Sequence, residues 1–392
     1  MAFTGKATYS AGATLPEIAE DVADIISIVS PYETPLLDHL GDPQRAAAST
    51  VHEWLEDSLL PNSDVINDND YTDAAADTDF VVEHGGRFRD GDLIQVEGSR
   101  EVMLVTGVST NTLTVVRSYG STTAENLADN LVVRILGNAA LEGSDSPSAR
   151  FTNRTRKSNY TQIFTAAVEV SGSQLAANQL ALADELDYQK QERLREMLRD
   201  LENCVINGVA PASNPQGSSS VRRTMNGIIA SIDAANVFVS GDGGFPDGDT
   251  VSSVADHLNE EQINLALRNI WNQSSGNIDT IVVNGFQKRR INGFITSSRG
   301  YDAKETRYRD LVSTYESDFG VCRVILSRWV PADTVLLLDS SRIDVLPLSG
   351  RSFNFKKLAA TGDAEAGQLL GEYTLEMRNA QAHGLIRGLV AN

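Results

Sequence analysis

Positive charge is scarce in this chain: 33 lysines and arginines stand against 53 aspartates and glutamates, a formal charge of -20. A sequence-independent grip on DNA or RNA needs a basic face, so this balance argues against one. Cysteine is nearly absent. Cys204 and Cys322 lie far apart, offer no disulfide framework and suit a reducing cytosol. No apolar run approaches the roughly 18 residues of a membrane span, and the opening MAFTGKATYSAGATLPE lacks the apolar centre of a signal peptide. The histidines, His39, His52, His84, His257 and His383, include no pair at metal-ligand spacing. There is no G-x-S-x-G elbow and no Walker loop, and neither cysteine has a visible catalytic arrangement. In GDGGFPDGDT, Pro246 stands where a dinucleotide fingerprint needs its third glycine. We therefore expect no enzyme, cofactor or metal site, with a dispersed-site α/β enzyme as the alternative from another class.

What is present is a chain of 392 residues, 41% of them hydrophobic, enough for two or three domains with real cores. Ser171 to Gly208 reads as one long amphipathic helix. Leu175, Leu182, Leu186, Leu194, Met197, Leu198, Leu201 and Val205 recur mostly three or four apart and form a stripe. Glu185, Lys190, Glu192, Arg193, Arg195, Glu196, Arg199 and Asp200 form the charged face, with opposite-sign neighbours three and four apart. Ser171 or Ser173 is the expected cap and Asn207-Gly208 the left-handed stop. Such a helix is about 55 Å long, wider than one compact domain. It reads either as a core helix of an ordinary α/β protein or as a beam between regions.

Around it the chain changes character several times. Residues 1 to about 20 are small and polar, an arm that something outside its own domain must hold. Residues 61–79 are rich in carboxylates; Asp68 and Asp70 begin a calcium-loop spacing, but no glycine or glutamate follows in place, which favours a solvated acidic loop. From residue 80 to 136, short β runs separated by tight polar turns suggest a small antiparallel barrel or sandwich. Arg150, Arg154, Arg156 and Lys157 form a basic run with no glycine-rich phosphate loop beside it, so a contact with an acidic neighbour is expected. Lys288, Arg289 and Arg290 on the helix NGFQKRRINGFI invite the same reading.

Several motifs carry a resemblance. Ile28, Ser30, Pro31, Thr34, Pro35, Leu36 and Leu37 are followed by Gly41 and then by Glu53, Trp54, Asp57 and Leu59. Val168, Val170, Ser171, Gly172, Ser173 and Gln174 precede the long helix, and Arg222 to Ile229 reads RRTMNGII. The last third adds Phe319-Gly320, Arg328, Pro331, Asp339, Leu346-Pro347-Leu348, the stretch Leu358 to Asp363, and Glu372 to His383. Together these resemble the major capsid proteins of tailed bacteriophages, with the Hong Kong 97-type capsid fold. The resemblance spans most of the chain outside 80–136.

It implies an α+β fold with an N-terminal arm at 1–50, an extended loop at 51–79 and 137–160, and a small all-β insertion at 80–136. A peripheral domain at 161–221, containing a spine helix at 171–207, would be completed by closing strands at 341–392. An axial domain would occupy 222–340. It also implies a structural subunit that associates noncovalently into hexamers and pentamers of an icosahedral or elongated head. That head encloses double-stranded DNA without binding it specifically. The implied partners are other copies, a portal protein, a separate scaffolding protein and a decoration protein, with no membrane. The motifs begin within about 30 residues of Met1, which leaves no room for a fused scaffolding domain of roughly 100 residues. The expected location is the virion, assembled in the host bacterial cytoplasm. Expected intersubunit contacts are Trp54, Arg154, Arg156, Lys288, Arg289 and Arg290. An encapsulin-like compartment shell is the alternative within the same fold.

Overall fold

The structure, a computed structural model, describes residues 33–68, 70–74, 76–176, 184–298, 314–359 and 362–391. Most of the arm expected over 1–50 therefore lies outside the described residues. Two compact units are present: Met1–Trp54 together with Lys157–Asn392, and Leu55–Arg156.

In the larger unit, the runs TIVV and VLLL become the central strands Thr280–Val283 and Val335–Leu338, buried throughout. Strands without polar alternation are those covered on both faces. Here Val282, Leu336 and Leu338 face one core, and Ile281, Val283, Val335 and Leu337 face the other. The sheet runs Val237–Val239, Gly384–Arg387, Val335–Leu338, Thr280–Val283, Gly320–Leu326, Thr314–Ser317. Helix Glu260–Gln273 covers one face with Ile263, Ala266, Leu267 and Ile270, and an Asn259–Gln262 capping box sets its start.

The second sheet of this unit is built on Ala364–Met377. Gln162–Ser171 pairs along one side of it, and Asn354–Lys357 and Ile343–Pro347 pair along the other, all antiparallel. Helix Glu185–Asn207 lies on this sheet, with Met197, Leu201, Val205 and Ile206 packed among Phe164, Val168, Leu369 and Leu375. The single helix expected over 171–207 is interrupted. A short helix, Gly172–Ala176, is followed by a fresh start at Glu185. Asp184 is extended (φ -148°, ψ 112°) and its carboxylate accepts from the backbone N–H groups of Leu186 and Asp187. An aspartate side chain that satisfies two free donors competes with helix continuation, and here it wins. The 23-residue helix is about 35 Å long.

Its end also differs from expectation. Gly208 has φ -58°, ψ 146°, so it is not left-handed. It is glycine because of crowding: a Cβ there would lie 2.4 Å from the Cys204 carbonyl oxygen and 2.7 Å from that of Met225. Gly227 faces it, donating its N–H to the Gly208 carbonyl at 2.9 Å, and a Cβ at 227 would lie 2.6 Å from Gly208 N. The RRTMNGII motif thus docks backbone to backbone on the helix end. Gly227→Ala is expected to destabilise the subunit by about 1–3 kcal/mol, since the opposing atoms are backbone and cannot swing away. Urea unfolding would read this as a lower midpoint at unchanged slope.

The smaller unit is an antiparallel sheet ordered Ser63–Val65, Val132–Asn138, Asp92–Val96, Val102–Ser109, Thr112–Val116, Asp79–Val81. An Ile66–Val82 bridge joins its first and last strands, with Asn67 N–H donating to Val81 O and Glu83 N–H to Val65 O, both at 3.0 Å. The sheet closes into a barrel, which removes its edges. Ile66, Phe80, Val82, Ile94, Met103, Leu113, Leu127 and Val133 fill it. It begins at Ser63–Val65, upstream of the 80–136 stretch; that strand is three residues long and lies among carboxylates, so no β pattern marks it in the sequence. Those carboxylates tie turns together: Asp129 accepts from Asp68 N–H at 3.1 Å, and Asp70 accepts from Asp129 N–H at 2.9 Å.

Candidate assembly surfaces

In the larger unit, residues 33–54 are fastened to the body by buried carboxylates. Helix Pro35–Leu40 has no side-chain cap of its own. Pro35 at its first position lacks an N–H, and the next two donors, Leu36 and Leu37, bond to the Glu202 carboxylate of the long helix at 3.0 and 2.8 Å. Glu202 is fully buried, and desolvation pushes its carboxyl up to about 7 against the pull of the Leu37 and Leu36 bonds. Arg45 then reaches Glu376 at 2.6 Å and Asp344 at 3.0 Å, and His52 Nε2 lies 2.6 Å from the other Glu376 oxygen.

Glu372, four residues before Glu376 on the same strand and thus on the same face, forms the second centre. It is 2.6 Å from Arg223, 2.7 Å from Arg351, and accepts from the Thr161 hydroxyl at 2.6 Å. The two glutamates of EYTLE thus anchor separate internal ion-pair centres, and the second arginine of RRTMNG belongs to that of Glu372.

The expected contact residues fall in different settings. Trp54 is half-buried, its ring 5.9 Å from that of His52. Arg154 and Arg156 are exposed, whereas Arg150 of the same run donates to the carbonyls of Arg87 and Phe88 at 3.2 and 2.6 Å. Arg289 is exposed and Lys288 half-buried, its ammonium pKa lowered by burial. Arg290 turns inward, 3.6 Å from Asp249 and 3.4 Å from the Leu258 carbonyl.

A feature the sequence reading missed is apolar. Leu55, Leu59 and Leu60 on the way into the barrel, Leu136 on its strand Val132–Asn138, and Leu141 and Phe151 on the way out, are 47–92% exposed. Thr152 donates to Asp57 at 3.0 Å and Ile135 N–H to the Asn62 carbonyl at 2.8 Å, which holds the two stretches together. Isolated exposed leucines are ordinary, whereas contiguous apolar patches are what mark interaction sites. The pattern escaped detection because it has neither a 2.0 nor a 3.6 period.

Among the described residues, Asp64, Glu83 and His84 come within metal-ligand distance of one another. Arg87 sits 3.0 Å from Asp64 Oδ1 and His84 N–H donates to Oδ2 at 2.6 Å, so the buried carboxylate already has its partners. Burial raises the thiol pKa of Cys204 and takes that of Cys322 up to about 11, which keeps both thiols unreactive at neutral pH.

A long helix over an antiparallel sheet, a second mixed sheet, and a β unit inserted between the paired strands Val51–Glu56 and Thr155–Tyr160 make up a Hong Kong 97-type capsid fold. The capsid chain of a native GTA particle is similar at TM-score 0.52 and 10% identity, over 99% of this chain and 100% of that one. A chain of Microbacterium phage Oxtober96 is similar at TM-score 0.51 and 12% identity, over 95% and 96%. A family profile described as SU10 major capsid protein matches residues 3–390, and the chain belongs to that family. No curated protein matches it. The chain is thus a major capsid protein, a virion component whose copies associate into a capsid shell.

Proposed function

We propose that copies of this chain form hexamers and pentamers that close an icosahedral or elongated head around double-stranded DNA, and that the stem of the Leu55–Arg156 unit makes the contacts between them. The observation that carries this reading is the apolar stem, with Leu59 92% and Phe151 79% exposed on one subunit. Covering such side chains removes apolar area from water, which favours association at about 25 cal/mol per Å². In this reading 51–79 and 137–160 are the extended loop, 161–221 and 341–392 the peripheral domain, and 222–340 the axial domain. Arg154, Arg156 and Arg289 meet carboxylates of neighbouring copies, and Trp54 packs at the base of the loop.

A formal charge of -20 suits a wall that encloses DNA without gripping it. The chain is a structural subunit and not an enzyme. It assembles in the host bacterial cytoplasm on a separate scaffolding protein, beside a portal protein, and the barrel is the surface offered to a decoration protein.

The test is assembly followed by light scattering and negative-stain microscopy, with and without a candidate scaffold. Leu59→Asp combined with Phe151→Asp is expected to abolish shells while changing subunit stability by no more than about 0.5 kcal/mol, because both sites are exposed in the subunit. Shells in wild-type yield from the double variant would refute the stem as the contact. A wild-type chain that stays a small discrete oligomer under every condition would refute the shell reading.

A further inference from the structure

We propose that the open edge of strand Gln162–Ser171 is a docking rail for an extended segment of a second copy of this chain, a proposal that rests on the shell reading above. The strand pairs with Ala364–Met377 over an uninterrupted register of ten residue pairs. Antiparallel partners alternate between bonded and non-bonded pairs, so one observed bond sets the direction of all the others. Gly172 N–H donates to Asp363 O at 3.0 Å, one step beyond Ser171 in the same register. The even-numbered residues therefore bond inward, and Ile163, Thr165, Ala167, Glu169 and Ser171 aim their N–H and C=O groups at the opposite edge. The far side of Ala364–Met377 agrees: Ala366 O accepts from Leu358 N–H, and Glu372 N–H donates to Arg351 O. Ala366 and Glu372 face Glu169 and Ile163 in the register, so both pairs are of the non-bonded kind.

The chain itself already uses the beginning of this edge. Thr161 N–H, the preceding outward donor, is taken by the Thr50 carbonyl at 2.9 Å, and Val51–Glu56 pairs with Thr155–Tyr160. Beyond Thr161 no backbone group among the described residues continues that cover.

Other edges of the same sheet are guarded. Asn354–Lys357 carries Lys356 and Lys357, and Ile343–Pro347 ends in a proline whose carbonyl is taken by Ala47 N–H at 2.8 Å. Exposed strands in monomers are blunted in these ways, with lysines, prolines, bulges or covering segments. QIFTAAVEVS has no proline, no lysine and no bulge, and Glu169 is its one charge. Its outward side chains are mostly small, which leaves room for a neighbouring backbone. Only an extended chain can satisfy a row of alternating donors and acceptors. A shell of identical subunits supplies such a chain at every position, in line with the strand pairing already made by Val51–Glu56.

Hydrogen exchange resolved to single amides, on free subunits and on assembled shells, tests this directly. The amides of Ile163, Thr165, Ala167 and Glu169 are expected to exchange freely in subunits and to slow by about tenfold or more in shells. Protection already present in the free subunit would mean that the chain covers its own edge, and would overturn the proposal. Shells that protect the stem around Leu59 and Phe151 but leave 163–169 unprotected would overturn the edge and leave the shell reading standing. A chain that forms no shells would overturn both.

Thr165→Pro and Ala167→Pro remove only outward donors, which an edge strand tolerates, whereas Ala166→Pro removes a bond to Leu369. The first two are expected to fold and to need about tenfold more subunit to assemble, from the lost backbone bonds at each contact. Normal assembly by either folded variant would overturn the proposal.

Discussion

Glu202→Ala is expected to destabilise the subunit by about 3 kcal/mol and to loosen residues 33–40 from the long helix, because it leaves the backbone donors of buried Leu36 and half-buried Leu37 without an acceptor and opens a cavity. Both carboxylate oxygens are engaged, one by Leu36 N–H and one by Leu37 N–H, and neither donor has another partner within its own short helix. The same carboxyl makes stability depend on pH. Burial raises it from an ordinary 4.5 to about 7, the two N–H bonds oppose that rise, and the nearby Asp38 charge adds to it. A carboxyl with a raised folded pKa stabilises the native state fully below its unfolded value and loses that contribution as pH rises through the folded one. Relative to Glu202→Gln, which does not titrate, the wild type should therefore lose stability between about pH 4.5 and 7 and run parallel to it above. Urea midpoints for the two proteins across that range would show it. A difference that is flat, or that grows with pH, would mean the N–H bonds outweigh desolvation.

Glu202 also illustrates what could be read in the chain beforehand. Leu198, Leu201 and Val205 set the apolar stripe of the long helix, and Glu202 lies on that stripe, four residues after Leu198 and three before Val205. A carboxylate at a stripe position is the signal, but its partner lies 166 residues away and no periodicity points to it. The same limit applies to Glu372 and Glu376. Their motif was recognisable, yet the reason for both glutamates became visible only when the sheet register brought Arg223, Arg351 and Arg45 against one face.

Local patterns fared better where one residue type dominates the outcome. The continuous apolar runs at 280–283 and 335–338 became buried central strands, and the turn-punctuated β runs after residue 80 became a barrel. They failed where short-range competition decides, as at Asp184, or where a strand is only three residues long, as at Ser63–Val65.

Arg117→Met is expected to have the largest single effect on the barrel, about 3–5 kcal/mol, since it strands a buried carboxylate. Arg117 holds Glu101 with two parallel bonds at 2.8 and 2.7 Å, from Nε and Nη2; Nη2 also donates to the Glu125 carbonyl, and Nη1 donates to that of Asp77. The two side chains are 6% and 0% exposed, so water cannot replace the lost partner. Desolvation alone would raise the Glu101 carboxyl, but the Arg117 bonds and the N–H groups of Glu125 and Ser118 outweigh it and hold the pKa below the usual carboxylate value. A depressed folded pKa contributes stability above the unfolded value and loses it as pH falls through the folded one. The barrel should therefore weaken in acid through this pair.

Replacing both partners, Arg117→Met with Glu101→Leu, removes the buried charge yet leaves the N–H groups of Ser118 and Glu125 without their acceptor. The double variant is expected to recover only part of the loss, unlike an ion pair whose removal orphans nothing. Denaturant unfolding followed by hydrogen exchange would separate the two units: barrel amides should lose protection at lower urea in Arg117→Met, while amides of Thr280–Val283 and Val335–Leu338 keep theirs. Equal loss in both would mean that the barrel does not open independently, and no loss in either would mean that the pair contributes nothing net.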